Sequence, residues 1–191
     1  ISDGGVLKRL DASHIGGGTL VQTGRTALSS NASSADVNDC FSSTYDTYMI
    51  VIDKVEMTVD SQRISCRLRN SGGSVTSSNY RYAQRAFDDD SNALNFHANS
   101  PDSKFDLTNE TDDSSNDAGL NGIMYVHRPH SANEQTRMNV FYSFIEPSDM
   151  RVGIGACTYE NPETHTGIGF NISTGDMRAG ASFTVYGIAY S

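Results

Sequence analysis

At 191 residues the chain is long enough for one domain with its own core, without help from disulfides or metal. A net charge of −9, from 23 acidic against 14 basic residues, argues against nucleic acid and anionic membranes as partners, since both recruit clustered Lys and Arg. Hydrophobic residues at 37% and 17 glycines suit a strand-rich chain with many turns.

Residues 1–18 read as an extended N-terminal arm. SDGG and HIGGG flank a short charged piece at 7–11 that buries little alone, and the segment lacks the apolar run of a signal peptide. The domain proper, 19–191, begins at Thr19. Segment 29–39, rich in Ser, Asn and Ala, reads as a polar connection. The most apolar stretch, 49–59, is too short to cross a bilayer and is interrupted by Asp53, Lys54 and Glu56. Its apolar residues predict a central strand at 48–57, covered on both faces through its first half. Over 63–69 the period is two: Ile64, Cys66 and Leu68 share one face, while Arg63, Ser65, Arg67 and Arg69 share the other. NSGGS at 70–74 suits a hairpin turn, and Tyr80-Arg81-Tyr82 reads as the return strand.

Acidic loops follow at 88–92 and 109–119. Further strands are predicted at 122–127, 137–145, 151–159 and 167–172. The last, 182–190, sets Phe183, Val185 and Gly187 against Thr184, Tyr186 and Ile188. Pro101, Pro129, Pro147 and Pro162 all fall at or beside turns, where a missing N–H is harmless. With no capped helical stripe and about eight to ten strands, the pattern predicts an all-β fold: a single antiparallel β-sandwich, jelly-roll-like.

Chemistry-bearing residues are sparse. Cys40, Cys66 and Cys157 cannot all pair, and they read as three free thiols of a protein made in a reducing cytosol, Cys66 as a core side chain. Asp88, Asp89 and Asp90, like Asp112, Asp113, Asn116 and Asp117, offer the hard oxygens that calcium takes, but without EF-hand spacing they read as solvated loops. Proline interrupts His127-Arg128-Pro129-His130, so these read as strand-end and loop histidines and no metal is assigned. No nucleophile-elbow motif occurs. Glu146 and Glu160 are the best-placed carboxylates for glycoside cleavage, and neither enzymatic activity nor a cofactor is expected.

Contact surfaces are the better prospect. Eleven of the 14 basic residues are arginine, and Arg63, Arg67 and Arg69 form a row that suits bidentate pairing with acidic loops of an adjacent subunit. Leu7, Lys8 and Arg9 of the arm are further candidates for subunit contact, with the arm as a tether. Tyr80, Tyr82, Tyr125 and Tyr159 are candidate stacking faces for a host surface glycan, in a chain without tryptophan.

Four segments carry a resemblance. CFSSTYDTYMIVIDKV (40–55), RISCRLRNSGGS (63–74), NYRYAQR (79–85) and GIGFNISTGDMRAGASFTVYGIAYS (167–191) are similar, in that order, to stretches of the small decoration and tail-type structural proteins of marine and cyanobacterial tailed bacteriophages. The similarity spans about two-thirds of the chain through loose motifs. It implies a virion protein made in the bacterial cytoplasm, with a jelly-roll-like sandwich, associating with itself as a trimer and with other virion proteins. It implies no catalytic residues.

Overall fold

The computed structural model describes residues 2–3, 6–7, 20–59, 62–88, 94–108, 119–145 and 150–189. Among them the chain is all β, without a helix, and the strands pair antiparallel. In chain order the strands are β1 (Ser2–Asp3), β2 (Val6–Leu7), β3 (Leu20–Ala27), β4 (Ser34–Val37), β5 (Thr47–Val55), β6 (Ile64–Asn70), β7 (Gly73–Ser74) and β8 (Tyr80–Asp88). There follow β9 (Leu94–Asp102), β10 (Phe105–Asp106), β11 (Leu120–His127), β12 (Thr136–Ile145), β13 (Met150–Tyr159), β14 (Gly167–Ile172) and β15 (Ser182–Ile188).

Eight strands form the large sheet, in the order β3-β15-β5-β11-β12-β13-β8-β9. A smaller sheet runs β10-β6-β14-β4, with β7 paired to β6. Both sheets contribute side chains to one core. From the large sheet it takes Tyr48, Ile50, Ile52, Met124, Val126, Met138, Phe183 and Val185, and from the small one Ile64, Cys66, Leu68, Ile168 and Phe170. Period-two alternation explains this directly, because each strand turns one set of side chains inward and leaves the other set facing out. Glycine is required where a large ring crosses a strand. A Cβ on Gly153 would overlap the buried Tyr142 ring of the neighbouring strand, and one on Gly187 would overlap Tyr45.

Several expectations need correction. The return of the 70–74 turn is the two-residue β7, not Tyr80–Tyr82; Tyr80 opens β8, in the other sheet. Its hydroxyl still serves β6, accepting the Leu68 N–H at 2.9 Å and donating to the Val75 carbonyl at 3.2 Å. A side chain thus caps backbone groups where the short hairpin ends. Strand β5 is central in its sheet but fully buried on one face only: Tyr48, Ile50 and Ile52 point into the core, while Met49 and Val51 are half-buried. Segment 29–39 is not merely a connection, since β4 lies within it and buries Ala35 and Val37 against the core. Strands β3, β9 and β10 were likewise not foreseen. Of the arm, β1 and β2 pair with each other, and the rest of 1–18 lies outside the described residues.

His165 sets an acid limit on this core. The ring is buried; its Nδ1 lies 3.1 Å from Thr136 Oγ1, and its Nε2 lies 3.3 Å from Glu163 Oε1. Burial pulls its pKa below the ordinary 6.5, against the opposing pull of Glu163, so the native ring is neutral. His127 is also lowered, by burial and then by the nearby Arg137. In the unfolded chain both rings protonate near pH 6.5, so native stability is intact above that value and falls as the pH drops below it, down to the folded pKa. The slope is at most about 1.4 kcal/mol per pH unit for His165, and smaller for the more exposed His127, where solvent screens the effect. Urea midpoints at pH 7.5 and 5.5 should therefore differ, with the difference smaller in His165→Gln; an unchanged difference in the variant would refute this role.

Candidate functional site

The residues singled out from sequence end in different places. Arg67 and Arg69 do face away from the core on β6, with Arg63 just before it, but all three engage their own chain. Arg63 lies 3.7 Å from Asp106, Arg67 donates to the Ser103 carbonyl at 3.0 Å, and Arg69 pairs with Asp36 at 2.9 Å and donates to Asn38 and Ser74 at 2.8 Å each. Leu7 is on β2, and Lys8 and Arg9 lie outside the described residues. Three of the four tyrosines are core residues rather than stacking faces: Tyr80, Tyr82 and Tyr159 are 0, 4 and 1% exposed. Period two puts Tyr80 and Tyr82 on the inward face of β8, where Tyr80 meets Tyr159 edge to face at 4.9 Å. Only Tyr125 of the four reaches solvent, at 39%.

Residues 89–93 and 109–118, which carry most of the candidate calcium oxygens, lie outside the described residues, as does Glu146. Asp88 instead faces Arg151 at 3.6 Å, and Glu160 pairs with Arg81 at 2.8 Å. The cysteines are buried and free. Burial pushes the Cys40 thiol up to about 12 and raises Cys66 and Cys157 as well, so none is a thiolate at neutral pH. Among the described residues no group of three or more His, Cys, Asp and Glu is placed to hold a metal.

A buried charge cluster lies where β10 meets β6 and β8. The Asp106 carboxylate, 4% exposed, has Lys104 Nζ at 2.9 Å, His97 Nε2 at 3.4 Å and Arg63 at 3.7 Å. The lysine contact is an ion-pair approach rather than an aligned hydrogen bond. Tyr82 donates its hydroxyl proton to Oδ2 at 3.2 Å, and burial followed by the Asp106 charge raises the phenol's pKa, keeping it protonated. This cluster neutralises a carboxylate inside the fold.

The surface with room for a partner is the outer face of the large sheet. Cross-strand pairing aligns Val51 (β5), Ile123 (β11), Phe141 (β12) and Ile154 (β13) in one row, followed by Arg85 on β8. Ile123, Phe141 and Ile154 are 39, 56 and 49% exposed, and Phe87 on the same face is 47% exposed. Four apolar neighbours on adjacent strands form a contiguous patch, which isolated exposed residues do not. Charged neighbours on this face include Arg25, Arg81, Arg85 and Arg137 with Asp53, and Glu160 pairs with Arg81 there.

Toward one end, the same face dips into an open cleft of about 830 Å³, lined by His127, Arg137, Asn139 and Thr158 among others. His127 is held between Thr47 Oγ1 on Nδ1 and Asn139 on Nε2, each at 3.2 Å. Arg128, in a left-handed backbone conformation (φ 54), closes the rim through an ion pair with Glu134. Tyr125, cross-strand from Asn139, lies nearly parallel to the His127 ring at 16° and 6.4 Å.

Sequence reading missed this surface, although a signal was present. In 137–145 the inward set is Met138, Val140, Tyr142 and Phe144, so Phe141 is a large apolar residue in the outward register. Comparison of the chain with protein-family models, with curated proteins and with solved structures finds no match in any of the three.

Proposed function

We propose that this chain is a non-enzymatic structural protein of a bacteriophage exterior, a capsid decoration or tail appendage. In this reading it folds as a jelly-roll-like sandwich and works by docking the outer face of its large sheet onto a second copy of itself. The observation that carries the reading is the row of exposed Ile123, Phe141 and Ile154, continued by the half-buried Val51. The four segments that resemble phage structural proteins supply the virion setting.

Size and charge both favour a second copy as occupant. Strands spaced about 4.8 Å apart, with roughly seven residues rising about 3.4 Å each, give an eight-stranded face of roughly 900 Å². A stable interface needs about 800 Å² per partner. The face carries several arginines while the chain as a whole carries −9, so a second copy offers acidic groups that complement it. Contact between the apolar, arginine-bearing face of one copy and acidic groups of the next is heterologous, and a ring of three closes it.

Sedimentation of the purified chain tests this. The wild type should form trimers at micromolar concentration, and Phe141→Asp should weaken association at least 100-fold while keeping the fold, because Phe141 lies outside the core. A monomer at 100 µM, or an unchanged trimer in the variant, would exclude this face as the contact. Labelling of the chain on intact particles checks the virion setting.

A second reading, a carbohydrate-binding module that recognises a host surface glycan, draws on the cleft at His127 and Arg137 with Tyr125 beside it. Glycan retention by the immobilised chain would separate it from the first.

A further inference from the structure

The cleft has a chemical bias that neither a flat contact surface nor a general sugar site requires. Arg137 projects from the outward face of β12 between His127 on β11 and Thr158 on β13. The neighbouring arginines are engaged: Arg128 pairs with Glu134 and Arg81 with Glu160. Arg137 has no hydrogen-bond or ion-pair partner among the described residues, in a chain with an excess of nine negative charges. Its charge also disfavours protonation of His127, which places the site's positive potential on the guanidinium.

Around that guanidinium the only other charged lining groups are Arg128 and Glu134, paired with each other at the rim, and the remaining polar groups are neutral. They are the Asn139 amide, which positions His127, the Thr158 hydroxyl, and the Gln135 side chain, tied to the Glu160 carbonyl at 3.2 Å. On the side away from the rim lies the Tyr125 ring, 39% exposed and nearly parallel to His127. A planar fork for an oxyanion, short neutral hydrogen-bonding side chains and an adjacent ring face match a pyranose that carries a carboxylate. The volume of about 830 Å³ accommodates one or two such rings.

We propose that this cleft binds acidic glycan, with Arg137 forking onto the carboxylate of a uronic- or sialic-acid residue and Tyr125 supporting the sugar ring. The proposal rests on the carbohydrate-binding reading and narrows it to one class of sugar. A peptide carboxylate from a neighbouring copy offers the same anion, but it does not account for the ring face or for the row of neutral hydrogen-bonding groups.

Calorimetry on the full chain decides the matter, with three probes: a glucuronate-containing tetrasaccharide, a sialylated trisaccharide, and a neutral glucose tetrasaccharide. At least one acidic probe should bind, and the neutral one at least 10-fold more weakly. Arg137→Gln should lose at least 10-fold affinity for the acidic probe with an unchanged urea midpoint, since the guanidinium is outside the core. Tyr125→Ala should weaken it independently. Equal binding of acidic and neutral probes would overturn the carboxylate inference and leave the glycan reading standing. Acidic binding that survives Arg137→Gln would place the site elsewhere and overturn it too. Binding of no probe would remove both, and a loss of self-association in Arg137→Gln would then assign the guanidinium to the subunit contact.

Discussion

Replacing Phe183 by Ala should destabilise the fold by about 3–5 kcal/mol, the largest single effect expected in this molecule. Phe183 is on β15 of the large sheet and Phe170 on β14 of the small one; both are 0% exposed, with stacked rings 4.1 Å apart at 14°. The pair joins the two sheets. Truncation removes the buried ring, leaves a cavity that β-strands held on both sides cannot collapse, and adds the loss of an aromatic pair worth about 0.5–1.5 kcal/mol. With an urea slope near 2 kcal/mol per molar, the midpoint should fall by about 2 M. Phe183→Leu, which keeps most of the volume, should cost much less. A loss below 1 kcal/mol in the alanine variant would mean that the sheets are held together elsewhere.

Removing the Asp106 carboxylate should come next, at about 3 kcal/mol for Asp106→Ala. The carboxylate is 4% exposed and has two cationic side chains, Arg63 and Lys104, and the His97 ring within 3.7 Å, together with the Tyr82 hydroxyl. Its loss leaves the Tyr82 hydroxyl with only His97 Nε2, at 3.0 Å, and brings Arg63 and Lys104 together without a counter-charge. Arg63 and Lys104 are 40 and 28% exposed, so their heads regain water, which keeps the cost at the lower end for a broken buried pair. The double variant Arg63→Met with Asp106→Leu offers a check. If the charges matter as a matched set, it should be more stable than Asp106→Ala alone, and an additive loss would refute the coupling.

Strands with clean alternation were legible in the sequence. Ile64, Cys66 and Leu68 are all fully buried as their spacing predicts, and β11 to β15 fall within about two residues of the predicted spans. What failed was assignment to sheets. Nothing local distinguishes Tyr80 as a hairpin return from Tyr80 as the start of a strand in the opposite sheet, because both place its ring inward. Strand β4 was masked by the Ser- and Asn-rich segment around it, since two small core residues, Ala35 and Val37, are all it buries. The arginine row was read correctly as a face, but Asp36, Asn38, Ser103 and Asp106, distant in sequence, are what engage it. For the outer face of the large sheet, single residues such as Phe141 and Ile154 gave the hint. Only the register that sets them side by side makes a patch.

The order of strands in the large sheet also has a temporal meaning. Strand β15, last along the chain, is inserted between β3 and β5, two of the earliest, and in that sheet β3 pairs with β15. While the chain is being synthesised, β3 therefore has no ladder to join, and one margin of β5 keeps its amides and carbonyls open until residues 182–188 emerge. A nascent or prematurely terminated polypeptide exposes that margin as a template for stray pairing with other chains. Completion of the large sheet thus waits until residues 182–188 have emerged, long after β3 and β5, so fragments that lack them cannot present the finished face.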